Sequence, residues 1–193
     1  MIRLNKTVYI TGLGGQGVIV FGNILADLAH KSGYKVKQLQ TINLAMRLGQ
    51  VQTTVKFGEK VYSPMAMKDS CDYIIAFEKL EALRSIDFLK DGGTIFINDL
   101  EIKPMSEVIG LEKYPKNIIE LINKKTKNIH LLNANNAAEQ IGNSKTMNIV
   151  MLGAVSNILK LTGYEEILKE HVPAKFYDLN IKAFELGKQL IKS

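Results

Sequence analysis

The chain has 193 residues, 46% of them hydrophobic, which supplies the core of one compact domain. Lys and Arg outnumber Asp and Glu by 25 to 19, a formal charge of +6, yet the cations are scattered among acids and cluster only at Lys124, Lys125 and Lys127, so the concentrated basic surface of a nucleic-acid protein is not expected. With Cys71 as its one cysteine, the chain excludes an internal disulfide and cannot supply the four thiolates of an iron–sulfur cluster.

Taken in order, Met1 to Lys6 lacks the apolar run and cleavage site of a signal peptide and leads directly into a β-branched and aromatic strand, Thr7 to Ile10. The strand breaks into Gly12-Leu13-Gly14-Gly15-Gln16-Gly17, after which Phe21, Ile24, Leu25 and Leu28 mark one face of a helix ending near Gly33. Val36 to Leu39 reads as a second strand, Thr41 to Gln50 as an irregular segment, and Val51 to Phe57 as a third strand. Gly58-Glu59 then sets up a short hairpin to Val61-Tyr62, which would make the sheet mixed.

Tyr73 to Phe77 is an almost wholly apolar strand, the pattern of a strand covered on both faces. Leu80, Leu83, Ile86 and Leu89 are expected along the helix after it. Gly92-Gly93 turns the chain into a strand at Thr94 to Ile97, Ile118 to Ile122 reads as helix and Ile129 to Leu132 as the last strand. From Ala134 onward the pattern is helical, with Met147 to Leu161 strongly apolar and Ile181, Phe184 and Leu190 on an amphipathic final helix. The expected fold is α/β, a Rossmann-like, doubly wound, mostly parallel sheet in a single domain over residues 1–193, with a helical C-terminal segment. No apolar run of 18 residues occurs, so the expected location is cytoplasmic, with no membrane and no nucleic acid as partner.

The candidate site is the glycine turn. Gly12, Gly14 and Gly17 fit G-x-G-x-x-G between strand and helix, where main-chain amides at a helix N-terminus face an anion. A dinucleotide site also wants an acid at the end of the second strand, and Gln38, Leu39 and Gln40 stand there instead. The turn is therefore open to three readings: a dinucleotide, an anionic or phosphate-bearing ligand such as coenzyme A, or close packing alone. Arg47 carries a planar fork suited to a carboxylate or phosphate, and Leu44, Met46 and Leu48 beside it suggest burial against another chain.

Glu78 and Glu81 are expected to favour a helix N-terminus rather than to work as an acid–base pair. Cys71 is expected to be a buried, inert thiol. His30, His130 and His171 show no metal-ligand spacing, and neither a P-loop nor a nucleophile elbow is present, so no metal and no catalytic residue is assigned.

Thr11-Gly12-Leu13-Gly14-Gly15-Gln16-Gly17-Val18 is more particular than the bare glycine pattern and resembles the opening of the gamma domain of pyruvate and related 2-oxoacid:ferredoxin (flavodoxin) oxidoreductases. Gly58 to Pro64 is similar to that family's hairpin, Asp72 to Arg84 to its next strand and helix, and Asn148 to Ala154 to a later helix, so the likeness spans most of the chain. Within the family it looks most like the free-standing small subunit of the indolepyruvate branch. That branch carries His-Gly-Met-Ala-Gln-Arg-Gly-Gly after the second strand, whereas here Ile42 to Gly49 keeps only Ala45, Arg47 and Gly49.

The resemblance implies oxidative decarboxylation of a 2-oxoacid, indolepyruvate or another arylpyruvate in this branch, to an acyl-coenzyme A with ferredoxin as acceptor. Thiamine diphosphate and [4Fe-4S] clusters would sit on a large alpha subunit, no cofactor would be held firmly by this chain, and coenzyme A would enter as co-substrate. Gly12, Gly14, Gly15, Gln16, Gly17 and Arg47 are the candidate ligand-binding residues. The alternatives are an independent Rossmann-type NAD(P)-dependent oxidoreductase on the same turn, or a binding module derived from the same domain.

Overall fold

The computed structural model describes residues 5–42, 49–111 and 113–191. β1 (Lys6–Leu13) runs through the glycine turn into α1 (Val18–Lys31), followed by β2 (Lys35–Ile42), β3 (Gln50–Gly58), β4 (Cys71–Ala76), α2 (Lys79–Ser85) and β5 (Leu89–Asn98). Two short helices, α3 (Met105–Val108) and α4 (Ile118–Ile122), precede β6 (Ile129–Leu132). α5 (Ala134–Gln140), α6 (Met147–Leu159), α7 (Tyr164–His171) and α8 (Tyr177–Leu190) complete the described chain.

Six strands form one sheet in the order β2-β3-β1-β4-β5-β6. β1, β4, β5 and β6 are mutually parallel, while β3 lies antiparallel between β1 and β2. The expected mixed sheet is therefore present, but for another reason: the antiparallel member is β3 itself, and residues 61–67 beyond Gly58-Glu59 form no strand. The two-residue signal marked the end of β3 rather than a hairpin, because β3 already has neighbours on both edges and leaves no free edge for Val61-Tyr62 to join.

A second correction concerns Leu89. α2 stops at Ser85, a single 3₁₀ turn covers Ile86–Phe88, and Leu89 opens β5. Gly92-Gly93 is inside that strand, where the register against β4 slips between the Cys71–Leu89 and Tyr73–Thr94 pairs; Gly92, at φ 71, takes up the irregularity.

Helices cover both faces. On one, Phe21, Ile24, Leu25 and Leu28 of α1 pack with α6, α7 and α8 against Val8, Ile10, Val55 and Phe57. On the other, Leu80 and Ala82 of α2 and Ile118 and Ile122 of α4 cover Tyr9, Ile74, Ile95 and Ile97. α6 is apolar all round and buried on nearly every side, as befits a helix enclosed between α1, α5 and α8. Its approach to α8 is set by two glycines: a side chain at Gly153 would overlap the Phe184 carbonyl, and one at Gly187 the Val150 carbonyl.

Among the described residues, no helix is long and apolar enough to cross a membrane.

Candidate functional site

α1 leaves β1 toward one face of the sheet and α2 leaves the adjacent, parallel β4 toward the other. Where neighbouring connections diverge in this way, a crevice opens at the carboxyl ends of the strands. The glycine turn lies at that point.

Each glycine of the turn has its own reason. A side chain on Gly12 would strike Gln16 Oε1, Val18 Cγ2 and Phe77 Cβ, so position 12 requires a bare α-carbon. Gly15 and Gly17 have φ of 91° and 84°, in the left-handed region that disfavours other residues. Gly14 donates its amide to the Gly49 carbonyl at 2.9 Å, and Gly14 and Gly15 are exposed, with nothing near where a Gly15 side chain would stand.

Gln16 folds back into the turn: its Oε1 accepts from the Leu13 amide at 2.7 Å and its Nε2 donates to the Phe77 carbonyl at 3.3 Å. The side chain braces the loop and ties β1 to the end of β4. Fully buried Asn98, at the end of β5, donates to the same Phe77 oxygen at 3.2 Å and to Asn135 Oδ1 at 2.7 Å, and accepts from the Ala134 amide at 3.1 Å. The connections after β1, β4, β5 and β6 are thereby joined by side-chain amides.

No side chain caps α1, no acid occupies its first turn, and its first backbone bond runs from the Phe21 amide to the Gly17 carbonyl. The earlier amides and the positive end of the helix are left to solvent or an anion. Arg47, and with it Leu44, Met46 and Leu48, lies outside the described residues. Cys71 is fully buried, and burial pushes its thiol up to about 11, the inert state expected of it.

Glu78 does cap α2, accepting from the Glu81 amide at 3.0 Å, but it also accepts from the Ile102 amide at 3.1 Å and the Tyr114 hydroxyl at 2.6 Å. Buried Glu81 accepts from Gln50 of β3 and from Arg84 Nη1 at 2.7 Å. Both carboxylates thus hold distant segments against α2, which the helix-end expectation captured only in part. Burial first, and then the hydrogen bond to Glu78, raise the Tyr114 phenol far above its ordinary value.

The free main-chain amides at the start of α1 suit an anion. The end of β2 offers Gln38 and Gln40, whose amides both donate to Asn23 on α1, and no carboxylate for ribose hydroxyls. The residues do not fit an iron–sulfur cluster, since the one thiol is enclosed, and among the described residues no three His, Cys, Asp or Glu side chains converge as metal ligands. A groove of about 600 Å³, lined by Tyr164, Tyr177 and Phe184 with lysines and glutamates, opens near Gly163 beside Lys31, at the far end of α1 from the turn.

One residue of this site escaped the sequence reading: Asn148, in the first turn of α6, whose carboxamide packs on Gly17. No short-range spacing links the two positions, and only the fold brings them together.

Comparison with known proteins gives three kinds of match. The family model described as pyruvate ferredoxin/flavodoxin oxidoreductase matches residues 7–190. The chain is 36% identical over 192 residues to the indolepyruvate oxidoreductase subunit IorB of Pyrococcus horikoshii and 38% identical over 194 residues to that of Thermococcus kodakarensis, covering 96% of this chain and 95% of the relative in both cases. Among solved structures, a keto/oxoacid ferredoxin oxidoreductase gamma subunit from Geobacter sulfurreducens superposes with a TM-score of 0.70 at 24% identity, covering 96% of this chain and 97% of the other. The 2-oxoglutarate:ferredoxin oxidoreductase of Magnetococcus marinus, solved with 2-oxoglutarate, coenzyme A and succinyl-CoA bound, superposes with a TM-score of 0.77 at 21% identity, covering 96% of this chain but 31% of that longer one.

Proposed function

Because the chain belongs to the pyruvate ferredoxin/flavodoxin oxidoreductase family, we propose that it is the small subunit of an indolepyruvate-type 2-oxoacid:ferredoxin oxidoreductase. The observation that carries this reading is near end-to-end identity above 35% with two subunits of that name, a likeness of whole chains rather than of one motif. In the assembled enzyme, thiamine diphosphate and [4Fe-4S] clusters, held by the large alpha subunit, supply carbon–carbon cleavage and the path of electrons to ferredoxin. This chain contributes binding and orientation.

The glycine turn is the part that meets a ligand. Gly14 and Gly15 leave the backbone open, Gly12, Gly17 and the brace from Gln16 fix its shape, and the uncapped start of α1 favours a phosphate of coenzyme A as the acyl acceptor comes in. Arg47 is proposed as a second contact for that anion or for the 2-oxoacid carboxylate. Exposed Ile42 stands level with Gly12, both pairing with Val51 of β3, and is proposed as a contact for the alpha subunit.

Coexpression with the alpha subunit is the test. A stable complex that reduces ferredoxin when given indolepyruvate, with an inactive isolated chain, is the expected result. Failure of the two chains to associate, or electron transfer by this chain alone, contradicts the proposal.

A further inference from the structure

We infer that the outer part of the sheet on the α2 face, where Lys37 and Lys56 stand side by side, is a docking surface for a carboxylate-bearing face of the alpha subunit. The inference rests on the reading of the chain as a small subunit and adds to it where, and by what chemistry, the large one packs.

The helical cover of the sheet is unequal. α2 and α4 pack on β1, β4 and β5, whereas β2 and β3 take their helix from α1, on the opposite face. Leu39 of β2 lies opposite Thr54 of β3, which lies opposite Tyr9 of β1 in the core beneath α2, so Lys37, Leu39 and Thr41 point to the α2 side. Cover thins outward along these rows: Tyr9 and Thr54 are buried, Gln52 and Lys56 half-buried, and Lys37, Leu39 and Thr41 exposed. Close by, Ala66 packs into the same core cluster as Tyr9, while Met65 and Met67 on either side of it are 57% and 61% exposed.

The charges on this surface have one sign. Lys37 and Lys56 are direct cross-strand partners, and like charges so placed repel. Lysine on an edge strand commonly blocks edge-to-edge pairing, which accounts for Lys37 but not for Lys56, on a strand with neighbours on both sides. Neither has a carboxylate partner among the described residues. Asp72 is held by Lys6 and Lys90, Asp87 pairs with Lys68, and Glu59, one residue past β3, pairs with neither lysine.

A repulsive pair beside exposed Leu39 is relieved by a surface that brings carboxylates and apolar groups together. A second copy of this chain does not fit that description, because a two-fold contact would set the same lysines against each other. The occupant is therefore a different chain, the alpha subunit.

The experiment measures the affinity of the full chain for the alpha subunit from about 0.05 to 0.5 M salt. The variants are Lys37→Glu, Lys56→Glu, both together, and Lys182→Glu as a control on exposed α8, which packs on the other face. Each single reversal creates an opposite-charge pair, so the thermal midpoint of the free chain should hold or rise, and the double variant should return it to the wild-type value. Affinity should move differently: the double variant should bind about tenfold or more weakly at low salt, with the gap narrowing as salt rises, and the control should bind as wild type does.

Wild-type affinity in the double variant overturns the inference and leaves the small-subunit reading standing. If the wild-type chain itself does not associate, that reading fails and the surface falls with it. Self-association of the free chain that the reversals abolish, with alpha-subunit binding intact, assigns the surface to a second copy and also overturns the inference. Should the variants fail to fold, hydrogen exchange of the wild-type chain decides: slower exchange along β2 on adding the alpha subunit upholds the surface, and unchanged exchange rejects it.

Discussion

Gln16 and Asn98 donate to the same acceptor, the carbonyl oxygen of Phe77, from opposite sides of the β4 connection. One oxygen has two lone pairs and both are used, so the connections after β1 and β5 are fixed relative to each other through the residue that follows β4. Removing either amide should have a different consequence. Asn98→Ala strips a fully buried group with three partners, among them the Ala134 amide, and is expected to lower unfolding free energy by about 2–4 kcal/mol in denaturant titration. Gln16→Ala should cost only about 1 kcal/mol overall. Its signature is local: faster hydrogen exchange at the Leu13 amide, which loses its acceptor.

The α6–α8 contact gives a packing prediction. Gly153→Ala and Gly187→Ala each place a methyl group against a facing carbonyl, and each should destabilise by about 1–3 kcal/mol or more. Moving the two helices apart relieves both clashes at once. The double variant should therefore cost less than the sum of the singles, a departure from additivity that a double-mutant cycle in denaturant measures directly.

Cys71 should be silent toward a thiol reagent in the native chain at about pH 8, because the nucleophile is the thiolate and burial holds the thiol near 11. Full labelling in denaturant is the control. Rapid native labelling would show that the space beneath β4 is not closed.

His130 stacks on Phe96 with ring centroids 5.0 Å apart, and burial lowers its affinity for a proton. Its folded value is thus below the unfolded one, so the unfolded chain takes up the proton first as pH falls. Stability is accordingly full above the unfolded value of about 6.5 and declines as pH drops through the folded value. Thermal midpoints measured from about pH 8 to 5 should show that decline, and His130→Gln should flatten it in that window.

The fold could be read where burial imposed a pattern. The apolar run at Tyr73 to Phe77 announces β4, covered on both faces, and the spacing of Phe21, Ile24, Leu25 and Leu28 announces α1, which buries one face in the core. The readings failed where local chemistry was outvoted by neighbours. Leu89 continues a helical spacing but joins the sheet beside Cys71, and Gly58-Glu59 looks like a turn between strands although only one strand adjoins it. At the site, the glycine turn was visible because its constraints are consecutive in the chain. Gln16 was noticed as part of the turn, yet its inward fold depends on Phe77, and Asn148 depends on where α6 comes to rest.

That dependence bears on how the protein is made. The floor of the crevice is laid down with β1 and the start of α1, whereas its roof is carried by α6 and clamped by the interlocked glycines of α8. A nascent chain emerging in order presents an open, unroofed turn throughout most of its synthesis. The crevice then takes its final shape late, when the two downstream helices close on each other.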